Sequence, residues 1–253
     1  GRGADVEAPD YVEALIDYYE QNLDDALDKA HSAASQKLSL YVARASEGSI
    51  YLRRANERGL QAEYDLARAD YRRAQRAYAQ AAVYQIGSGA DPTENLLASI
   101  DYFSRVLRDR PSDVPCEGLG HAYSNLAMFD QREVRDPNEN LAAAAENFRA
   151  AIEIRPNYWR YNDLGIVYKN WAMFQHERGQ DPTQDFERPI DTYRASLTLL
   201  PDYLAAHANL GVVHSKQALF ERAQGRDPQP SLEVAIEAYE RALAVDRNHM
   251  IVH

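Results

Sequence analysis

Apolar residues recur along this chain at helical intervals, and one interval pattern returns four times. Leu96, Ile100, Phe103 and Leu107 are spaced 4, 3 and 4 residues apart, which lines one face of an α-helix. The same stripe returns at Leu141, Ala145, Phe148 and Ile152, at Phe186, Ile190, Tyr193 and Leu197, and at Leu232, Ile236, Tyr239 and Leu243. Each stripe follows an Asp-Pro step: Asp91-Pro92, Asp136-Pro137, Asp181-Pro182 and Asp227-Pro228, at intervals of 45, 45 and 46 residues. Pro111, Pro156 and Pro201 end the first three stripes, and Arg247 takes that place in the last. A second helical pattern precedes each step. Leu119-Gly120, Leu164-Gly165 and Leu210-Gly211 align, followed by Tyr123, Tyr168 and His214, then by Phe129, Phe174 and Phe220. Tyr78 and Tyr84 mark a weaker, earlier copy. The repeated unit is therefore predicted to be two helices, A then B, joined around Asp-Pro.

The joint has a physical logic. An aspartate carboxylate accepts hydrogen bonds from the free amides of a helix's first turn, and proline suits the first helical position. Gly89, Gly179 and Gly225, two residues before the aspartate, supply the left-handed residue that closes helix A. Val134 stands there in one copy, so that turn is expected to differ. Gly-x-Asp-Pro reads as a stop-and-restart signal between antiparallel helices, which is architecture and not chemistry.

These residues resemble the tetratricopeptide repeat (TPR) family, whose motif has Leu-Gly and an aromatic in helix A. Small, aromatic, small and proline positions follow along its helix B. The small sites here are Ser99 and Val106, Ala144 and Ala151, Pro189 and Ser196, and Ala235 and Ala242. The resemblance is good over residues 91 to 249 and faint over 40 to 90; the unit is 45 residues where the family has 34. It implies an all-α fold, a right-handed solenoid of stacked helix hairpins with units near 91–135, 136–180, 181–226 and 227–253. The long Asp-Pro unit also looks like the arrays that follow the catalytic domain in some bacterial serine/threonine protein kinases.

Ahead of the repeats, residues 1–8 read as a flexible lead-in and 9–90 as N-terminal helices forming a divergent repeat or cap. Residues 9 to 31 are predicted as one helix with Val12, Ile16, Tyr19, Leu23 and Ala26 on its apolar side. Asp10, Glu13, Asp17, Glu20, Asp24 and Asp28 make the other face acidic. The stretches 34 to 57 and 62 to 86 are basic, carrying Arg53, Arg54, Arg58, Arg68, Arg72, Arg73 and Arg76. These arginines either are solvated and pair with the acidic helix or form a docking patch for an acidic partner. The pairing of helices over 34–90 is left open by the pattern.

Composition narrows the function. A formal charge of -11 argues against a general nucleic-acid binder, which needs clustered Lys and Arg. The chain has a single cysteine, Cys116, so it has neither an internal disulfide nor a multi-cysteine zinc site. No apolar stretch reaches the length of a membrane span and no charged-then-apolar leader precedes the helices, so a cytoplasmic protein is the default expectation. The seven histidines form no ligand motif; His207 and His214 share a helix face, and His214 takes the place of a packed tyrosine. Neither a phosphate loop nor a kinase signature is present. The expectation is a chain without catalysis, cofactor or metal.

In the TPR family the helix A residues beside Leu-Gly face a concave groove. Carried over by position, the resemblance implies groove residues Glu117, His121, Ser124 and Asn125 in one unit. Asn162, Ile166, Lys169 and Asn170 follow in the next, and Val212, Ser215 and Lys216 in the last. The Lys/Asn/Arg set of the family's carboxylate clamp is not assembled, so capture of a C-terminal carboxylate is not implied. Asn, Ser and Lys in a groove can hydrogen-bond an extended peptide, or simply stay solvated. Tyr158, Trp159 and Tyr161 are either an interface anchor or packing between repeats. The function expected is a protein- or peptide-binding scaffold, a regulatory or docking segment of a bacterial multidomain signalling protein. The alternative is self-assembly through an apolar face at 230 to 253.

Overall fold

The computed structural model describes residues 9–36, 41–109, 112–179 and 183–251, with the side chains of Gln36, Asp109, Thr183, Gln184 and 247–251 set aside. The lead-in 1–8, Pro111 and the Asp181-Pro182 step lie outside the described residues. Within them the fold is all-α. Its helices are α1 (Pro9–Tyr19), α2 (Leu23–Gln36), α3 (Tyr41–Leu60), α4 (Tyr64–Ser88), α5 (Thr93–Asp109), α6 (Asp113–Arg132), α7 (Asn138–Ile154), α8 (Tyr158–Glu177), α9 (Thr183–Leu199), α10 (Leu204–Ala223) and α11 (Gln229–Ile251). Two compact units divide the chain, Gly1–Arg135 and Asp136–His253.

In the second unit α8 pairs with α9 and α10 with α11, while α9 also lies against α10. The stripe on α9 is the centre of the core. Phe186, Ile190 and Tyr193 pack with Leu210, Val213 and Phe220 of α10, Ala172 of α8 and Ala238 of α11. What fixes the crossing is an aromatic ring laid on a glycine. A Cβ on Gly165 would lie 2.5 Å from the Tyr193 ring, and one on Gly211 the same distance from the Tyr239 ring. No side chain fits there, so glycine is required by close approach. The left-handed residue at the bend is equidistant from both partners: fourteen residues separate Gly165 from Gly179 and fourteen separate Gly179 from Tyr193. Gly211, Gly225 and Tyr239 repeat that spacing.

The Asp-Pro joints follow the predicted chemistry with one shift. The carboxylates of Asp91, Asp136 and Asp227 accept the N–H groups of Thr93 (2.8 Å), Asn138 (3.0 Å) and Gln229 (3.0 Å). The first main-chain helical bonds reach the proline carbonyls, as in Leu96 N–H to Pro92 O at 3.0 Å and Leu141 N–H to Pro137 O at 2.8 Å. Proline thus stands at the helix boundary itself, within the usual one-residue latitude of such assignments. The hydrogen bonds from Thr93 hold the Asp91 carboxyl below the usual carboxylate range.

The turn at Val134 does not differ, against expectation. Val134 takes φ +57°, beside +80° at Gly89 and +70° at Gly225. Its N–H donates to Gln131 O at 3.1 Å and Arg135 N–H to Asp130 O at 2.7 Å, the same bond pair that closes the Gly89 and Gly225 turns. A β-branched residue there costs about 1–2 kcal/mol, and the turn forms regardless because four orphan carbonyls need partners.

The first unit departs further from the sequence reading. Residues 9 to 31 are not one helix: Gln21 enters the left-handed region at φ +70°, and Asn22 N–H bonds Asp17 O at 2.8 Å to end α1. The predicted stripe divides accordingly. Val12, Ile16 and Tyr19 are exposed, Leu23 and Ala26 are buried, and Asp17 of the supposed acidic face is buried with Lys29 at 2.7 Å. The pairing left open over 34–90 is α3 with α4. Ala62, at φ +62°, makes the bend between them, and Tyr78 of α4 lays its ring on Gly48 of α3 while its hydroxyl sits 2.9 Å from Ser49 Oγ. Tyr78, read as a helix A residue, therefore plays the part of a helix B aromatic. Phe103 of α5 similarly lies on Gly118 of α6.

Most of the arginines pair within the chain, chiefly with one residue that sequence reasoning passed over. Asp70 is fully buried and accepts from Arg54 Nε at 2.8 Å, Arg58 Nη1 at 2.6 Å and Arg73 Nη1 at 3.0 Å. Arg54 also reaches Asp24, Arg68 pairs with Asp113 at 3.1 Å, and Arg53 donates to the Tyr18 carbonyl at 3.0 Å. Only Asp24 belongs to the predicted acidic face. Burial opposes charge on Asp70, but the hydrogen bond and charge of Arg54, then Arg73 and Arg58, outweigh it and hold the carboxyl below its ordinary range.

Candidate partner-binding surface

The sequence-predicted groove residues fall into both units. On α6, Glu117 is buried, and His121, Ser124 and Asn125 are half-buried. His121 and Asn125 border a crevice of about 10 Å³ with Gln75, Tyr78 and Ser99, which is too narrow for a side chain.

The second set is more open, on α8 and α10. Asn162 is buried, and its Oδ1 accepts a hydrogen bond from Asn209 Nδ2 at 3.0 Å, tying α8 to α10. Asn209 was missed by motif reasoning, because it stands one residue out of the repeat register from Asn162, whose counterpart is Ala208. Ile166 packs against the core beside Leu210 and Val213. Asn170, Val212 and Ser215 are half-buried, Ser215 Oγ lying 3.5 Å from the Tyr239 hydroxyl.

Two lysines give this surface its charge. Lys169 lies seven residues after Asn162, and Lys216 seven after Asn209, so each returns to its asparagine's helix face two turns on. Lys169 is half-buried and Lys216 exposed. Burial alone pushes the Lys169 ammonium below its ordinary value, with no carboxylate acting to raise it. Among the described residues neither lysine has an acidic partner. A partly desolvated cation without a counter-charge is unfavourable in the free protein and is relieved by an anionic group from outside.

The other candidates make contacts within the chain. Tyr158 meets Trp159 at 5.1 Å and Tyr203 at 4.8 Å, both edge-on, and its carbonyl accepts from buried Ser196 at 2.7 Å. His207 Nε2–H donates to the Pro201 carbonyl at 2.8 Å. His214 is buried, which with the charge of Arg194 lowers its pKa. Cys116 is buried in α6. Among the described residues no three metal-ligating side chains cluster, and no helix is long and apolar enough to cross a membrane.

The chain matches no family model and no curated protein. It is similar to solved structures of helical-repeat proteins. With the MamA protein it shares 14% identity at a TM-score of 0.40, covering 79% of this chain and 92% of that one. With YrrB, described as a TPR protein with an unusual peptide-binding site, it shares 16% identity at 0.35, covering 83% and 91%. With the TPR2AB domain of yeast Sti1, solved in complex with pHSP90, it shares 11% identity at 0.27, covering 92% and 96%. At such scores the likeness is one of helical fold and carries no function across.

Proposed function

We propose that this chain is a non-catalytic scaffold that binds an extended protein segment on the α8–α10 surface. Lys169 and Lys216 take an acidic side chain of the partner, and Asn170 and Ser215 hydrogen-bond its main chain. The observation that carries this reading is Lys169, a half-buried cation with no carboxylate beside it. Asn162 acts indirectly, by tying the two helices through Asn209. The test is selection of peptides by display against the chain, then titration of the enriched peptides. Paired Lys169→Ala and Lys216→Ala substitutions are expected to weaken binding about tenfold or more, the scale of a charged hydrogen bond. Unchanged affinity in a folded variant rejects this surface. The long Asp-Pro unit and its likeness to kinase-associated arrays support a docking or regulatory segment of a bacterial signalling protein acting in the cytoplasm. The reading frame around these residues tests that context.

One feature favours self-association as a second reading. The stripe on α11, covered by a neighbouring helix in α9, is open: Leu232, Ile236, Tyr239 and Leu243 are all exposed, as is Val234. The stripe is nearly palindromic in size, so an antiparallel copy would set Leu232 against Leu243 and Ile236 against Tyr239. Light scattering over a concentration series is expected to show a dimer that Ile236→Glu abolishes. A monomer at every concentration sinks this reading.

A further inference from the structure

A second polar feature stands in the first unit, where α2, α3 and α4 border an open cleft of about 300 Å³. His31, Arg44, Glu47, Tyr51, Arg73 and Arg76 line it. Its charges do not cancel. Glu47 is its one carboxylate, buried, and already shared by Arg44 at 2.8 Å and His31 at 2.9 Å. Arg73 has only a third share of Asp70, which also holds Arg54 and Arg58, and its side chain is half-exposed. Arg76 is exposed and has no acidic partner among the described residues.

Arg73 and Arg76 are one turn apart on α4, a spacing at which like charges repel. Tyr51 lies under the pair's inner side, with the Arg73 guanidinium 5.9 Å from its ring centre and that of Arg54 at 5.4 Å on the same ring. Ring contact holds the Arg73 fork in place, which lowers the entropy cost of presenting it to an oxyanion. On a chain of net charge -11 this is a local excess of fixed positive charge in a cleft of ligand size.

We propose that this cleft is a second binding site, for an acidic protein segment whose carboxylate bridges Arg73 and Arg76 and whose neighbouring residue covers Tyr51. Arg76 is the residue that selects for the anion, because among the cleft's basic side chains it alone has no carboxylate partner among the described residues. The site is independent of the α8–α10 surface, and the experiment separates them by using the 253-residue chain carrying Lys169→Ala and Lys216→Ala throughout. The probe is a fluorescein-labelled twelve-residue peptide of alternating Glu and Ser, followed by anisotropy at low salt. Binding is expected to weaken about tenfold with Arg76→Gln, to recover largely with Arg76→Lys, and to fall as salt rises. Arg105→Gln, at an exposed i,i+4 pair with Asp101, is expected to leave it unchanged. Failure of the peptide to bind, or equal affinity in the Arg76→Gln protein with unchanged circular dichroism, overturns the proposal. Displacement of the peptide by millimolar inorganic phosphate overturns the choice of a carboxylate ligand.

Discussion

The α3–α4 hairpin of the first unit and the α8–α9 hairpin of the second solve one packing problem with different chemistry. Both lay a tyrosine ring on a glycine of the facing helix, Tyr78 on Gly48 and Tyr193 on Gly165. The first adds a buried carboxylate gripped by three arginines, while the second relies on apolar contact of Phe186, Ile190 and Tyr193 with Ala172 and Ile166. Apolar packing is additive and forgiving, so it can be copied along a chain. A buried charge cluster works only when every member is present. The second unit is accordingly repetitive and the first idiosyncratic.

Breaking the polar joint should have the largest effect. Asp70→Ala leaves three guanidiniums facing one another and is expected to cost about 3 kcal/mol in urea denaturation, tempered by the arginines' access to water. A loss below about 1 kcal/mol would show the cluster to be ornamental. Next comes Gly165→Ala, which forces a methyl into the Tyr193 ring and is expected to cost about 2 kcal/mol. The same change at Gly87, where a Cβ meets nothing, is the control and should be near neutral or slightly favourable.

Smaller, and of opposite sign, is Tyr193→Phe. The Tyr193 hydroxyl is buried without a hydrogen-bond partner, and burial drives its pKa upward, whereas Phe103 and Phe148 fill the matching places in other copies. Removing it should stabilise the protein by about 1 kcal/mol, read as a raised melting temperature. The smallest effect is in acid. The folded-state pKa of Asp70 lies below its unfolded value, so its contribution is complete above about pH 4 and fades as pH falls through the folded value. Stability measured from pH 5 down to 2 should therefore drop more steeply for the wild type than for Asp70→Asn. Parallel curves would remove Asp70 from the account.

How much of this was legible follows the same division. The B-helix stripes, the Asp-Pro starts and the glycine bends were readable because each rests on contacts within a few residues of the chain. The bends at Gln21, Ala62 and Val134 were not, since the left-handed region there is imposed on residues with no preference for it. One was missed outright, which merged α1 with α2. The partners of the arginines were equally hidden: Arg54 and Asp70 lie 16 residues apart and meet only after α3 folds back on α4. At the candidate surface, position alone nominated Asn162 and Lys169 together. Burial separates them, the first satisfied by Asn209 and the second left charged and alone.

The equal arms of the α8–α9 and α10–α11 hairpins have a further consequence. In both, the ring meets its glycine with fourteen residues on each side of the bend, whereas the α3–α4 hairpin, bent at Ala62, counts fourteen from Gly48 and sixteen to Tyr78. One residue added to a single arm would slide the ring by about 1.5 Å and swing it through about 100°. In these two hairpins length can change freely only outside that span. The chain obeys this: its one irregular interval, 46 in place of 45, adds its residue between Tyr193 and Gly211, in the link from one hairpin to the next, and leaves both clasps in register.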